Sequence, residues 1–203
     1  AAKVIENIQR DLNIGLFNEI FKFCNKAGIN FNEVIRLAST KWNFIKFKPG
    51  LVGGHCLPVD PYYLSYISKK YKLKMEILLA GRNVNNQMEN YVYEKILNEL
   101  DKNKLSIKSR ILIAGESYKA NVGDQRNSIA QKIIFKLLKK NKGIKVFDPT
   151  IDNRYFYKKY RTNSLSEKKK YDVIVQLVDH DLGKKQIREY LKKNKKTVFI
   201  KIF

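Results

Sequence analysis

Along the first hundred residues, apolar positions recur at intervals of three and four. Over 4–24 they fall at Val4, Ile5, Ile8, Leu12, Leu16, Ile20 and Phe23, which predicts one amphipathic helix with a single buried stripe. Gly28 supplies the stop, and Asn30 or Asn32 caps a short helix through Leu37. Over 41–61 no period survives. This stretch holds Trp42, Phe44 and Phe47 and reads as a long loop kept in order by its aromatic residues. Helical spacing returns over 62–71 and 83–100, where Met88, Tyr91, Val92, Ile96 and Leu100 share a side.

After about residue 105 the period changes. Arg110-Ile111-Leu112-Ile113-Ala114-Gly115 is a short, continuous apolar run that ends on glycine, as in a strand buried on both faces. Further strands are expected over 144–147, 173–177 and 197–200, with helices over 128–140 and 184–193. Strands alternating with helices through short connections give a parallel sheet. The chain therefore reads as α/β: an all-helical domain over 1–104 and a parallel-sheet domain over 105–203. The boundary is expected between 103 and 109, where apolar pattern gives way to polar residues.

Composition narrows the class. The chain has 203 residues and a formal net charge of +22, which raises the question of nucleic acid. Lysine outnumbers arginine about four to one, and no RNP, KH or zinc-finger pattern occurs. The runs of lysine, such as Lys192-Lys193-Asn194-Lys195-Lys196, read as solvated helix ends, and no nucleic-acid partner is expected. No apolar run approaches the length that spans a bilayer, so no membrane partner is expected either. Two distant cysteines do not form a disulfide framework and fit a reducing cytoplasm. The helical pattern opens at Ala1 with no initiator methionine, which reads as a start inside a longer protein.

Chemistry concentrates in Pro49-Gly50-Leu51-Val52-Gly53-Gly54-His55-Cys56-Leu57-Pro58-Val59-Asp60-Pro61-Tyr62-Tyr63. Glycines let a backbone approach a ligand, prolines hold the loop's shape, and Cys56 is a thiol with a carboxyl group four residues on. Two readings stand: a nucleophile's loop, or a tight structural turn. Cys24, in an apolar helical setting, is the ordinary buried kind. Lys3 and Asn7 are spaced to share a helix face. The loop 116–128 follows the first strand, at the sheet edge where ligands of open parallel sheets bind. It carries Lys119 and Arg126 ahead of a helix N-terminus, which suits a phosphate. A solvated loop in which Asp124 pairs with Arg126 is the other reading. The dinucleotide fingerprint G-x-G-x-x-G is absent from the chain.

Three blocks together resemble the UDP-glucose/GDP-mannose (nucleotide-sugar) 6-dehydrogenase family. They are Lys3-x-x-Glu6-Asn7-x-x-Arg10-Asp11-x-Asn13; Lys41-Trp42-Asn43-Phe44 with Phe47-x-Pro49 through Leu64; and Tyr118-Lys119-x-Asn121-x-x-Asp124-x-Arg126-Asn127-Ser128 followed by Val146-Phe147-Asp148-Pro149. The resemblance implies a central helical dimerisation domain, through which the protein forms a homodimer, and a C-terminal Rossmann-like domain that binds a UDP-sugar. The N-terminal NAD-binding domain of the family is missing from this stretch. The implied reaction oxidises a sugar C6 alcohol to a carboxylate with two NAD, through a thioester on Cys56, in the synthesis of surface polysaccharide precursors. Lys3 and Asn7 match residues that stabilise an oxyanion and position water, and Asp60 matches the carboxylate of the hydrolytic step. Backbone of Phe47, Lys48, Pro49, Gly50, Leu51, Val52 and Gly53 is expected to cradle the sugar nucleotide, with Lys119 near the substrate and Arg126 reaching the cofactor. By itself the portion is expected not to turn over, and a non-catalytic dimerisation and nucleotide-sugar-binding remnant is the alternative. Gly115-Glu116 departs from the family's Gly-Leu or Gly-Ile and sets a carboxylate beside the expected anion site. The Gly53-Gly54-His55-Cys56 form resembles enzymes acting on N-acetylated hexosamine nucleotides.

Overall fold

The computed structural model describes residues 1–160, 165 and 169–203, arranged as two compact units, Ala1–Met88 and Glu89–Phe203. The first unit is helical: α1 (Ala2–Ala27), α2 (Phe31–Ala38), α3 (Asp60–Ser68) with a 3₁₀ turn over Lys69–Tyr71, and the first half of α4 (Glu76–Lys102). Gly28 ends α1 in the left-handed conformation, φ 70°. Asn30, rather than Asn32, caps α2, its side chain accepting from the backbone N–H groups of Asn32 and Glu33.

The buried face of α1 is not the single apolar stripe that the spacing suggested. Ile8, Phe17, Phe21 and Cys24 are buried, but so are Asn7, Asp11 and Asn18. Ile5, Leu16 and Phe23 are instead 55%, 52% and 64% exposed. α4 begins two turns before the position expected from its pattern, because Gly81 lies inside it rather than before it. At that point the helix backbones cross closely: a β-carbon on Gly81 would come within 2.5 Å of Leu12, and one on Gly15 within 3.1 Å of the Gly81 carbonyl. Glycine at this crossing is a packing residue, and its low helix propensity is outweighed by the close approach.

The segment between α2 and α3 has no regular structure, as expected, and aromatic residues fix it. The Phe17 ring lies 6.1 Å from that of Phe44 and 6.0 Å from that of Phe47. Trp42 takes no part and is 96% exposed.

The second unit holds a four-stranded, wholly parallel sheet of order β2-β1-β3-β4, from β1 (Ile111–Ala114), β2 (Lys145–Phe147), β3 (Val173–Gln176) and β4 (Val198–Lys201). The central strands β1 and β3 are buried on both faces, which their unbroken apolar runs foretold. Crossover helices are α5 (Ile129–Lys140), capped by the Ser128 hydroxyl, and α7 (Asp181–Lys193). One helix was not anticipated, α6 (Asn153–Tyr160), whose aromatic and lysine-rich sequence shows little apolar period. The order places a switch point between β1 and β3, where connections leave in opposite directions. The loops after β1 and β3 meet there, at the carboxyl edge. The expected boundary at 103–109 coincides with the end of α4, whereas the two units divide within that helix.

Candidate functional site

In the first unit, the cysteine loop is built on α1. One glycine is required for its course. Gly54 takes φ 89°, a left-handed angle that side chains rarely adopt, two residues before Cys56. Val52 is buried beneath the loop. The Cys56 carbonyl then accepts from the N–H groups of Val59 (3.0 Å) and Asp60 (2.8 Å), closing a turn that leads into α3. Pro61 favours this helix start because it has no N–H to leave unpaired. The turn fixes Cys56 and Asp60 relative to each other. Cys56 is free and half-buried, and Cys24 is free and buried.

A second tie comes from α1. Asn7, buried, donates its Nδ2 to Asp60 Oδ2 at 2.7 Å. The amide is one turn after Lys3, which is exposed. The structure thus brings Asn7, Asp60 and the Cys56 turn together through named bonds, while Lys3 stands exposed one turn earlier on the same helix. Farther along the helix, Asn18 bonds Gly50, Asn85 bonds Asp11, and Arg82 pairs with Asp11 in a buried array. Burial pushes the Asp11 carboxyl up, against the opposing pull of Arg82 and Asn85. The apolar period does not single out Asn18, Arg82 or Asn85. The signal available was the polar residues falling on one helix face at 7, 11 and 18.

In the second unit, the 116–128 loop is organised by a buried cluster at the carboxyl ends of β1, β2 and β3. Asp148 Oδ2 accepts from the N–H groups of Glu116 (2.9 Å) and Ser117 (3.0 Å) and from the Ser117 hydroxyl (2.7 Å). His180 Nε2 lies 3.1 Å from the same oxygen. The Asn121 N–H donates to His180 Nδ1 at 3.0 Å, so Nδ1 must accept and the proton of the neutral ring is on Nε2. Serine, histidine and aspartate meet here, but the hydroxyl donates to the carboxyl and not to an imidazole base. The set therefore cannot activate a nucleophile and instead holds a loop. Burial raises the Asp148 carboxyl, yet the bonds from His180, Thr150 and Ser117 outweigh it and hold the group well below the usual carboxylate range.

Lys119 is exposed on this loop. Arg126 is exposed and forked onto Asp124, with Nε at 3.0 Å and a terminal nitrogen at 2.5 Å, the pairing that the second reading of the loop anticipated. Glu116 corrects an expectation. Its carboxylate does not lie open beside an anion site but is fully buried, held by Lys159 Nζ (2.6 Å), the Tyr160 hydroxyl (2.7 Å) and Gln131 Nε2 (2.6 Å). It anchors α6 and α5 to the end of β1. Among the described residues, no group of three or more His, Cys, Asp or Glu could hold a metal ion, and no helix is long and apolar enough to cross a membrane.

Comparison with known proteins decides the family. Residues 1–87 match the model of the UDP-glucose/GDP-mannose dehydrogenase family, central domain, and residues 112–203 match the UDP binding domain of the same family. The chain belongs to the UDP-glucose/GDP-mannose dehydrogenase family. Similar nucleotide-sugar dehydrogenases include the UDP-N-acetyl-D-glucosamine 6-dehydrogenase of Salmonella typhi, 41% identical over 94% of this chain and 46% of that protein. The UDP-N-acetyl-D-mannosamine dehydrogenase of Methanocaldococcus jannaschii is 37% identical over 94% of this chain and 42% of its own length. Among solved structures, the UDP-D-ManNAc dehydrogenase of Pyrococcus horikoshii superposes with a TM-score of 0.81 at 29% identity, covering 98% of this chain and 46% of that one. The chain spans about half the length of the relatives it matches.

Proposed function

We propose that this chain is the catalytic-loop-bearing portion of a UDP-N-acetylhexosamine 6-dehydrogenase, oxidising the sugar's C6 alcohol to a carboxylate for surface polysaccharide precursors. The observation that carries it is the tie of Asn7 to Asp60 across the turn that presents Cys56. The substrate class rests on the match of 112–203 to a UDP binding domain and on the relatives named above.

In this reading Cys56 Sγ adds to the C6 aldehyde left by the first oxidation, and its proton passes to the new alkoxide. The second two-electron oxidation turns that thiohemiacetal into a thioester on Cys56. Water held by Asp60 and Asn7 attacks the thioester carbon, releasing the acid and restoring the thiol. Lys3 supplies positive charge for the oxyanion formed in both additions. Main chain of Phe47, Lys48, Pro49, Gly50, Leu51, Val52 and Gly53 lies along the sugar nucleotide, and Lys119 faces its anionic part. NAD, two molecules per sugar and one hydride each, would supply the oxidant for this chemistry. The described residues offer it no glycine-rich phosphate turn, and Arg126 would contribute a cationic contact to it. The protein acts as a homodimer through its central helices, in the cytoplasm, where free thiols persist.

In the protein carrying the hydride-acceptor site, Cys56→Ala is expected to abolish formation of the UDP-sugar acid, measured by chromatography of the product. Acid formation by that variant at the parental rate contradicts the covalent role.

A further inference from the structure

We propose that Asn18 is a positioning residue for the substrate loop, acting through the main chain of Gly50; this rests on the reading of residues 47–53 as the sugar-nucleotide cradle. Asn18 is completely buried on the inward face of α1. Its Oδ1 accepts from the Gly50 N–H at 2.8 Å and its Nδ2 donates to the Gly50 carbonyl at 3.0 Å. One amide therefore satisfies both polar groups of a single peptide position, as a neighbouring strand would. The N–H of Gly50 is a donor by necessity, which fixes the orientation of the Asn18 amide.

Asn18 is itself held. Its Nδ2 also donates to Asn85 Oδ1 at 2.8 Å, and Asn85 Nδ2 donates at 2.9 Å to both the carbonyl and Oδ1 of Asp11. Arg82, 2% exposed, completes the array on Asp11 and donates at 2.9 Å to Asn86, whose Nδ2 donates to the Tyr62 hydroxyl at 3.1 Å. A chain of side-chain bonds thus runs from Gly50 through α1 and α4 to α3, the helix that begins at Asp60. Burying so many polar groups is costly unless each is paired, and an apolar face would stabilise the helix crossing at least as well. The array specifies where the loop backbone stands.

Gly50 itself points the same way. It has no left-handed angle, and a β-carbon there would meet nothing within 4 Å. The fold therefore does not require glycine at 50, while a ligand approaching the main chain from that open side does. Asn18 holds the peptide from the buried side and leaves the other side clear.

The test uses the 203-residue chain, with amide hydrogen exchange and the rates at which iodoacetamide alkylates Cys56 and Cys24 read by peptide mass mapping. In the parent chain the Gly50 amide is expected to exchange at least about tenfold more slowly than that of Leu51, because a buried acceptor holds it. Exchange of the two at equal rates overturns the proposal without any variant being made. In Asn18→Ala the Gly50 protection is expected to be lost and Cys56 alkylation to rise about tenfold, with Cys24 unchanged. An unchanged Cys56 rate, or a parallel rise at Cys24 that marks general loosening of the unit, overturns it. Neither readout uses a nucleotide sugar, so failure here is distinct from failure of the assigned substrate, which appears as absent binding of UDP-N-acetylglucosamine to the parent chain.

Discussion

Several side chains in this protein are placed by bonds to main chain. Asn18 reads Gly50, Asn121 reaches His180 through its N–H, and Asp148 gathers the N–H groups of Glu116 and Ser117. Asp148 gives this a consequence in pH. Its carboxyl is held lower in the folded chain than in the unfolded one, so its stabilising contribution is complete above about pH 4 and is lost as pH falls toward the folded value. The stability of the parent chain by urea unfolding is expected to drop below pH 4 more steeply than that of Asp148→Asn, which is itself expected to be weaker at pH 7 by about 2–3 kcal/mol. Equal slopes for parent and variant below pH 4 contradict the charge-assisted role of Asp148. At this scale the loop around Cys56 stood out by its glycines and prolines, and the motif blocks picked out Asn7 and Asp60, which the structure joins by a hydrogen bond. The sequence was silent about Asn18 and Asn85, because an asparagine inside a helix looks the same whether it faces solvent or a backbone 32 residues away.

Among the elements, α1 shows where hydrophobic spacing misleads. The apolar period was real, but it belongs to two faces. One packs inside the unit and shares its space with Asn7, Asp11 and Asn18, while the other leaves Ile5, Leu16 and Phe23 uncovered. These three are eleven and seven residues apart, which returns to almost the same helix direction each time. An uncovered apolar stripe on a long helix supports the proposed dimer. Replacing Leu16 and Phe23 together with glutamate is expected to lower the mass in sedimentation from dimer to monomer while helical content persists. A double variant with the parental mass places the dimer contact elsewhere. The strands were legible almost to the residue because both faces of β1 and β3 are buried, leaving no ambiguity of period. α6 was not, since its place depends on the distant Glu116 carboxylate, which Lys159 and Tyr160 of α6 meet only in three dimensions.

For the molecule as a whole, the α/β organisation followed from the apolar periods and the family from three motif blocks, and the matches of 1–87 and 112–203 agree with that family. The net charge of +22 is partly matched locally. At the carboxyl edge of the sheet its members Arg126 and Lys159 are matched by Asp124 and Glu116. In the proposed function, a nucleotide sugar bound to this chain reaches the Cys56 loop. The most direct measurement is the rate at which iodoacetamide alkylates Cys56, with and without saturating UDP-N-acetylglucosamine, with Cys24 as the internal reference. Selective slowing at Cys56 is expected. Alkylation of Cys56 at the same rate while the nucleotide sugar is demonstrably bound contradicts the assignment of this loop as the sugar site.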